Sequence, residues 1–101
     1  MIARRWHGIV LREKSDAYRR LMIEVAIPDY QSIVGNRGAW CLTREDGALV
    51  HFEMLTFWDS YQAIEAFAGS PLDAAKYYDF DADFLIEQEP TVLHFEVSTN
   101  A

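Results

Sequence analysis

The sequence predicts an α+β domain in which two βαβ-like halves share one four-stranded antiparallel sheet. Three observations lead there. Strand-like and helix-like stretches alternate in the order strand, helix, strand, strand, helix, strand; Glu45-Asp46-Gly47 joins the middle strands as a hairpin; and the third strand runs directly into Phe57-Trp58-Asp59-Ser60, at the mouth of the second helix. This βαββαβ order is that of a ferredoxin-like sandwich. At 101 residues the chain is one domain, 1–101, burying roughly 60–70% of the surface its unfolded form exposes.

Residues 2–11 read as the first strand, being rich in β-branched and aromatic residues. Neither alternating set, Ile2/Arg4/Trp6/Gly8/Val10 or Ala3/Arg5/His7/Ile9/Leu11, is cleanly polar, which suggests a central strand covered on both faces. Ser15 is the expected N-cap of the first helix. From Asp16 onward Ala17, Tyr18, Leu21, Met22, Val25 and Ala26 recur at three- and four-residue spacings as one apolar stripe. Pro28 disfavours helical geometry at Ile27, so the helix ends or restarts there, with a short turn over residues 28–32. Gly35-Asn36-Arg37-Gly38 then reverses the chain.

Residues 39–44 form the second strand and residues 49–58 the third. The third is two-faced, with Val50, Phe52, Met54, Thr56 and Trp58 nearly dry and Leu49, His51, Glu53, Leu55 and Phe57 mixed. Asp59 caps the second helix, with Gln62 completing a capping-box pattern, and Tyr61, Ile64, Phe67 and Ala68 lie along its buried side. Gly69 stops it. Ser70-Pro71 starts a further helical turn carrying Leu72, Ala75, Lys76 and Tyr77. Residues 79–89 are acidic but hold Phe80, Phe84, Leu85 and Ile86, and read as an ordered connector or short helix. Residues 91–97 form the last strand.

Composition narrows the function classes. Half the residues are apolar and 14% aromatic, rich enough that some apolar surface is expected in a subunit interface. Residues 1–50 carry eight Lys/Arg against six Asp/Glu, and residues 51–101 one against ten, so the halves balance at +2 and −9 and sum to −7. Nucleic acid is excluded as a partner, since a polyanion needs a basic stripe, and anionic membrane surfaces are disfavoured for the same reason. Cys41 is the single cysteine, which rules out an intramolecular disulfide and suits a reducing compartment. The opening Arg4-Arg5 is followed by no apolar run of signal-peptide length, and no apolar stretch reaches the roughly 18–20 residues that span a bilayer. A soluble cytoplasmic protein is expected.

In this order the elements resemble the antibiotic biosynthesis monooxygenase superfamily of small dimeric α+β barrels. The resemblance covers nearly the whole chain and rests on residues 2–8 (Ile-Ala-Arg-Arg-Trp-His-Gly), 35–40 (Gly-Asn-Arg-Gly-Ala-Trp), 56–64 (Thr-Phe-Trp-Asp-Ser-Tyr-Gln-Ala-Ile) and 92–97 (Val-Leu-His-Phe-Glu-Val). The Trp-Asp-Ser-x-x-Ala junction is its most specific part. The resemblance implies a homodimer joined through its sheets, a pocket in each subunit between sheet and helices, and oxygenation of an electron-rich aromatic or tetrapyrrole by dioxygen, in some members with neither metal nor flavin because the substrate supplies the electrons. The haem-degrading branch of the superfamily places an amide on the first strand, a tryptophan after the third and an iron-ligating histidine on a later helix. By register these fall at His7, Trp58 and Lys76. A protonated lysine is a poor ligand, so haem bound in that manner is disfavoured, with Tyr77 or Tyr78 as the substitutes available.

Trp58 is the foremost site candidate, as a large aromatic able to stack on a planar substrate and screen an oxygen intermediate from water; the plainer alternative is a core residue capping the barrel end. His7 is the candidate general base, because deprotonating a phenol or hydroquinone makes it reactive toward dioxygen. Asn36 and Arg37 are candidates for a substrate carboxylate or phenolate, against a turn held by local hydrogen bonds. Phe52 and Met54 on the dry face, and Tyr77 with Tyr78, are candidate pocket walls, although a Tyr pair at the end of a helix is usually packing. His7, His51 and His94 lie on three strands that a ferredoxin-like sheet makes neighbours, but without ligand-spaced motifs a structural histidine is the commoner outcome and no metal is assigned. No phosphate-binding loop for flavin or nicotinamide is present. The leading expectation is a cofactor-independent homodimeric monooxygenase acting on a flat aromatic molecule; the alternatives are a haem-degrading enzyme and a non-catalytic binding or interaction dimer.

Overall fold

Alternation along a strand sends successive side chains to opposite faces of a sheet, and the computed structural model, which describes residues 1–98, sorts this chain in that way. Strands β1 (Ile2–Leu11), β2 (Asn36–Asp46), β3 (Leu49–Trp58) and β4 (Leu93–Glu96) form one sheet in the order β2-β3-β1-β4, every pair antiparallel. Helix α1 (Arg12–Leu21), a π-helical turn (Met22–Ala26), α2 (Ile27–Gln31) and α3 (Tyr61–Ala68) cover one face, and a 3-10 turn (Asp79–Asp83) precedes β4. This is the predicted ferredoxin-like α+β fold, with β1 in the middle between β3 and β4.

The core lies between that face and the helices. The dry set of β3, Val50, Phe52, Met54, Thr56 and Trp58, is fully buried there beside Ile2, Arg4, Trp6 and Val10 of β1. Each large apolar side chain buried this way contributes about 1.5–3 kcal/mol. Tyr18, Met22, Ala26 and Tyr30 descend onto it at strict four-residue spacing. In an α-helix positions four apart precess by about 40°, so such a row would wander off the core over three steps. The π turn takes more residues per revolution and holds the row on one face. Its Ile27 N–H reaches back to the Met22 carbonyl, and Pro28, which has no N–H to give, follows at the start of α2. Ile27, expected to leave helical geometry, is itself helical (φ −58°, ψ −49°) and opens α2, so the chain stays helical through the proline.

Several boundaries differ from expectation. Ser15 is not an N-cap: β1 passes straight into α1, the Arg12 N–H is taken by the Ala48 carbonyl at 2.8 Å, and the Ser15 hydroxyl donates to Arg12 O. Ser60, not Asp59, caps α3, its Oγ accepting from Ala63 N at 3.2 Å, while Asp59 gives its N–H to Gly35 O and pairs with Arg37. Strand β2 begins three residues earlier than predicted, at Asn36, because an irregularity between Asn36 and Gly38 carries the pairing into the glycine turn. Gly69 does end α3, with φ +79°. No helix follows Ser70-Pro71: the backbone of residues 73–75 bonds instead to residues 90–92, through Ala75 N to Pro90 O at 3.0 Å and Val92 N to Asp73 O at 2.8 Å. That pairing also shortens the last strand to Leu93–Glu96.

Candidate functional site

Where the Tyr18-to-Tyr30 row, β1, β3 and the irregular 76–81 stretch meet, the core is incomplete. A small hollow remains, lined by Trp6, Tyr18, Met22, Ala26, Tyr30, Met54, Lys76, Tyr78 and Asp81. Its volume of about 10 Å³ is at the lower limit for a single water molecule. Three phenols, an ammonium and a carboxylate in so small a space are unusual for a core, because each costs free energy unless it is bonded. Most are bonded. The Tyr18 hydroxyl donates to Asp81 Oδ1 at 2.7 Å, the Tyr78 N–H donates to Asp81 Oδ2 at 2.6 Å, and the Tyr78 hydroxyl and Lys76 Nζ both donate to Asp29 Oδ2, at 2.6 and 3.1 Å.

These contacts set the charge states. Burial pushes the Asp81 carboxyl up, against the two hydrogen bonds that favour its charged form. Burial and the Asp81 contact push Tyr18 strongly up, burial pushes Tyr30 up, and burial with the Asp29 contact pushes Tyr78 up, so all three phenols stay neutral at ordinary pH. Burial works to raise Asp29, but the Tyr78 hydroxyl and the Lys76 ammonium outweigh it and hold the carboxyl low. The Trp6 indole is a lining group whose Nε1 is buried without a partner; the Tyr77 ring packs edge-on against it and the Tyr77 hydroxyl donates to the Glu89 carbonyl.

Of the residues singled out in the sequence, Met54 lines this hollow. Trp58 lies one layer away, fully buried, its ring 5.7 Å from Phe67 and 6.4 Å from Tyr30 and its indole N–H given to Thr56 Oγ1 at 2.8 Å. It fills the core under α3 and reaches no open space, because the last inward position of β3 lies beneath that helix. Phe52 is likewise sealed, edge-on against Tyr18. Tyr77 packs edge-on against Trp6. Asn36 spends its side chain on the backbone of Gly38 and Phe57, and Arg37 is an exposed partner of Asp59. His7 is on the other side of the sheet, since its register opposite Glu53 puts it among the outward set. It cannot serve as a base in the hollow.

The three histidines do not converge. His7 and His51 meet on the open face, Nε2 to Nδ1 2.9 Å apart, flanked by Glu89 on His7 Nδ1 at 2.5 Å and Asp46 on His51 Nε2 at 3.1 Å. His94, opposite Arg4, belongs to the helix side, where burial and the Arg4 charge push its pKa down. Among the described residues no group of three or more His, Cys, Asp and Glu side chains is placed to hold a metal ion. Lys76, at the register position of the haem-branch ligand, is ion-paired to Asp29 and sits 4.2 Å from the Phe67 ring centre.

The open face carries a second feature. Trp40, Leu42, Leu93 and Phe95 project from it about half exposed, with Trp40 edge-on to Phe57 at 5.6 Å. Arg5 and Glu53 form a 2.7 Å ion pair among them, and the Arg5 contact holds the Glu53 carboxyl low.

Sequence reasoning missed Trp6, Tyr18, Tyr30 and Asp81; of the Tyr77-Tyr78 pair it singled out, Tyr78 lines the hollow. The four-residue spacing from Tyr18 to Tyr30 was the available signal, but the three- and four-residue stripe that included Ala17, Leu21 and Val25 obscured it.

Among the described residues no helix is long and apolar enough to cross a membrane. No protein-family model matches the chain, and no curated relative matches it. Among solved structures it is similar to that of Rv0793 from Mycobacterium tuberculosis, with a TM-score of 0.66 at 17% identity over 99% of this chain and 97% of that one. A likeness at that identity extends to the fold, and it adds a second chain to the ferredoxin-like α+β arrangement described above.

Proposed function

We propose that the protein works as a homodimer in which each subunit takes a small flat aromatic molecule into the hollow beneath its helices and, as the superfamily resemblance suggests, presents it to dioxygen without a metal or flavin. The observation that carries this reading is the concentration of Tyr18, Tyr30, Tyr78, Lys76 and Asp81 around one gap in a mostly apolar core. Polar groups inside a core are costly and are kept where a ligand uses them. Admission of a ring requires residues 76–81 to move outward, which breaks the Lys76 and Tyr78 contacts to Asp29 and the Tyr18 contact to Asp81. With His7 turned away, Asp81 is the proton acceptor available inside: it is buried, and burial raises its affinity for a proton toward the range a general base needs. The exposed Trp40, Leu42, Leu93 and Phe95 on the open face support joining two sheets back to back.

Incubation with a panel of hydroquinones and anthrones, in air and under nitrogen, tests the reading. Oxygen-dependent product is expected from the native protein and a loss of at least tenfold from Asp81→Asn. A second reading, a non-catalytic binding or interaction dimer, draws on the water-sized gap and the sealed Trp58; ligand binding with no oxygen-dependent product would favour it.

A further inference from the structure

Arg4 is the most anomalous residue of the core. It occupies the inward set of β1 between Ile2 and Trp6, only 1% of it is exposed, and among the described residues no carboxylate lies within ion-pair distance. Its guanidinium makes one side-chain hydrogen bond, from Nη2 to the Ala74 carbonyl at 3.1 Å, and rests over the Phe67 ring at 5.5 Å. Its Nε is buried with no partner, and so is Nε2 of His94, which stands opposite it on β4. The ionisable groups nearest Arg4 are Tyr30 and Tyr78, both kept neutral, and His94, whose pKa burial and the Arg4 charge push down. A buried cation with neutral neighbours and orphaned donors is strongly unfavourable unless an anion completes it.

The hollow is next door. Tyr30 and Tyr78 line it, and Lys76, at its edge, shares the Phe67 ring with Arg4. The Ala74 carbonyl occupies the place an anionic oxygen would take, and Ala74 belongs to the non-helical 70–78 stretch. We propose that Arg4, with the neighbouring His94, anchors the carboxylate of an aromatic acid whose ring enters the hollow, the ligand oxygen replacing the Ala74 carbonyl. The guanidinium fork suits two carboxylate oxygens. This deepens the proposed function and rests on the hollow being a ligand site.

The test is calorimetric titration of the full chain with benzoate, 2-naphthoate and 2-anthroate, each beside its carboxamide, which has the same shape and no charge. At least one acid is expected to bind tenfold or more tightly than its amide. Arg4→Met should erase that preference and, in the absence of ligand, melt higher than the native protein, since it removes an uncompensated buried charge. Arg4→Lys should keep part of the preference, and it carries the test if Arg4→Met does not fold. Equal binding of acid and amide would overturn the role of Arg4 while leaving the ligand site standing. Failure of both series to bind would overturn the two together. A folded Arg4→Met protein that melts lower than native would make Arg4 a structural residue and end the proposal.

Discussion

His7 and His51 face each other across β1 and β3 with Nε2 and Nδ1 2.9 Å apart, and their outer nitrogens are bound to Glu89 and Asp46. An imidazole that donates from one ring nitrogen can accept at the other, so the four side chains can form one hydrogen-bonded chain across the open face. His51→Ala breaks that chain in the middle and is expected to cost about 0.5–1.5 kcal/mol in a urea titration; an unchanged midpoint would show that the contact contributes nothing to stability.

The open sheet face gives the second prediction. Trp40 and Phe95 are about half exposed on strands at opposite edges of the sheet, and a carboxylate placed at either would face apolar surface in a sheet-to-sheet dimer. Trp40→Glu and Phe95→Glu are each expected to halve the mass measured by light scattering at micromolar concentration with the circular dichroism unchanged. A native protein that already scatters as a single subunit would refute the dimer.

Trp58 decides between packing and catalysis. Its ring touches Tyr30 and Phe67 and its N–H is satisfied by Thr56, so Trp58→Ala should cost about 3–5 kcal/mol of stability through the cavity it leaves. Trp58→Phe, which keeps most of the ring contact, should retain ligand binding. A Trp58→Phe protein of native stability that had lost all binding would return this residue to the site.

His94 sets a pH dependence. Burial, and then the Arg4 charge, push its pKa down in the folded protein, with Asp73 opposing. The unfolded chain therefore takes up a proton that the native protein resists, and stability should fall as pH drops below the ordinary histidine value of about 6.5. Urea midpoints measured between pH 7.5 and 5.5 are expected to decline less for His94→Gln than for the native protein. Parallel declines would show that His94 contributes nothing to the slope.

Much of the fold was legible because it rests on local periodicity. The two-residue alternation of Val50 through Trp58 and the glycine at position 69 each declare their role within a few residues, and Gly47 marks the hairpin, although Glu45 and Asp46 pair within β2 and the turn itself is Gly47-Ala48. Where expectation and structure part, a distant backbone partner overrode a local signal: Ala48 holds the start of α1 in place of a Ser15 cap, and the pairing of residues 73–75 with 90–92 displaces the helix that Pro71 invites.

What the chain's own pattern determined is the order of elements, the dry face of β3 and the central position of β1. What only the tertiary structure decided is which side of the sheet each polar residue meets. His7 and Arg4 lie three positions apart on β1, so the odd offset sends them to opposite faces. The sequence marks both as polar residues in a mostly apolar strand, and only the packing of the helices on one face makes Arg4 a buried charge and leaves His7 outside the hollow.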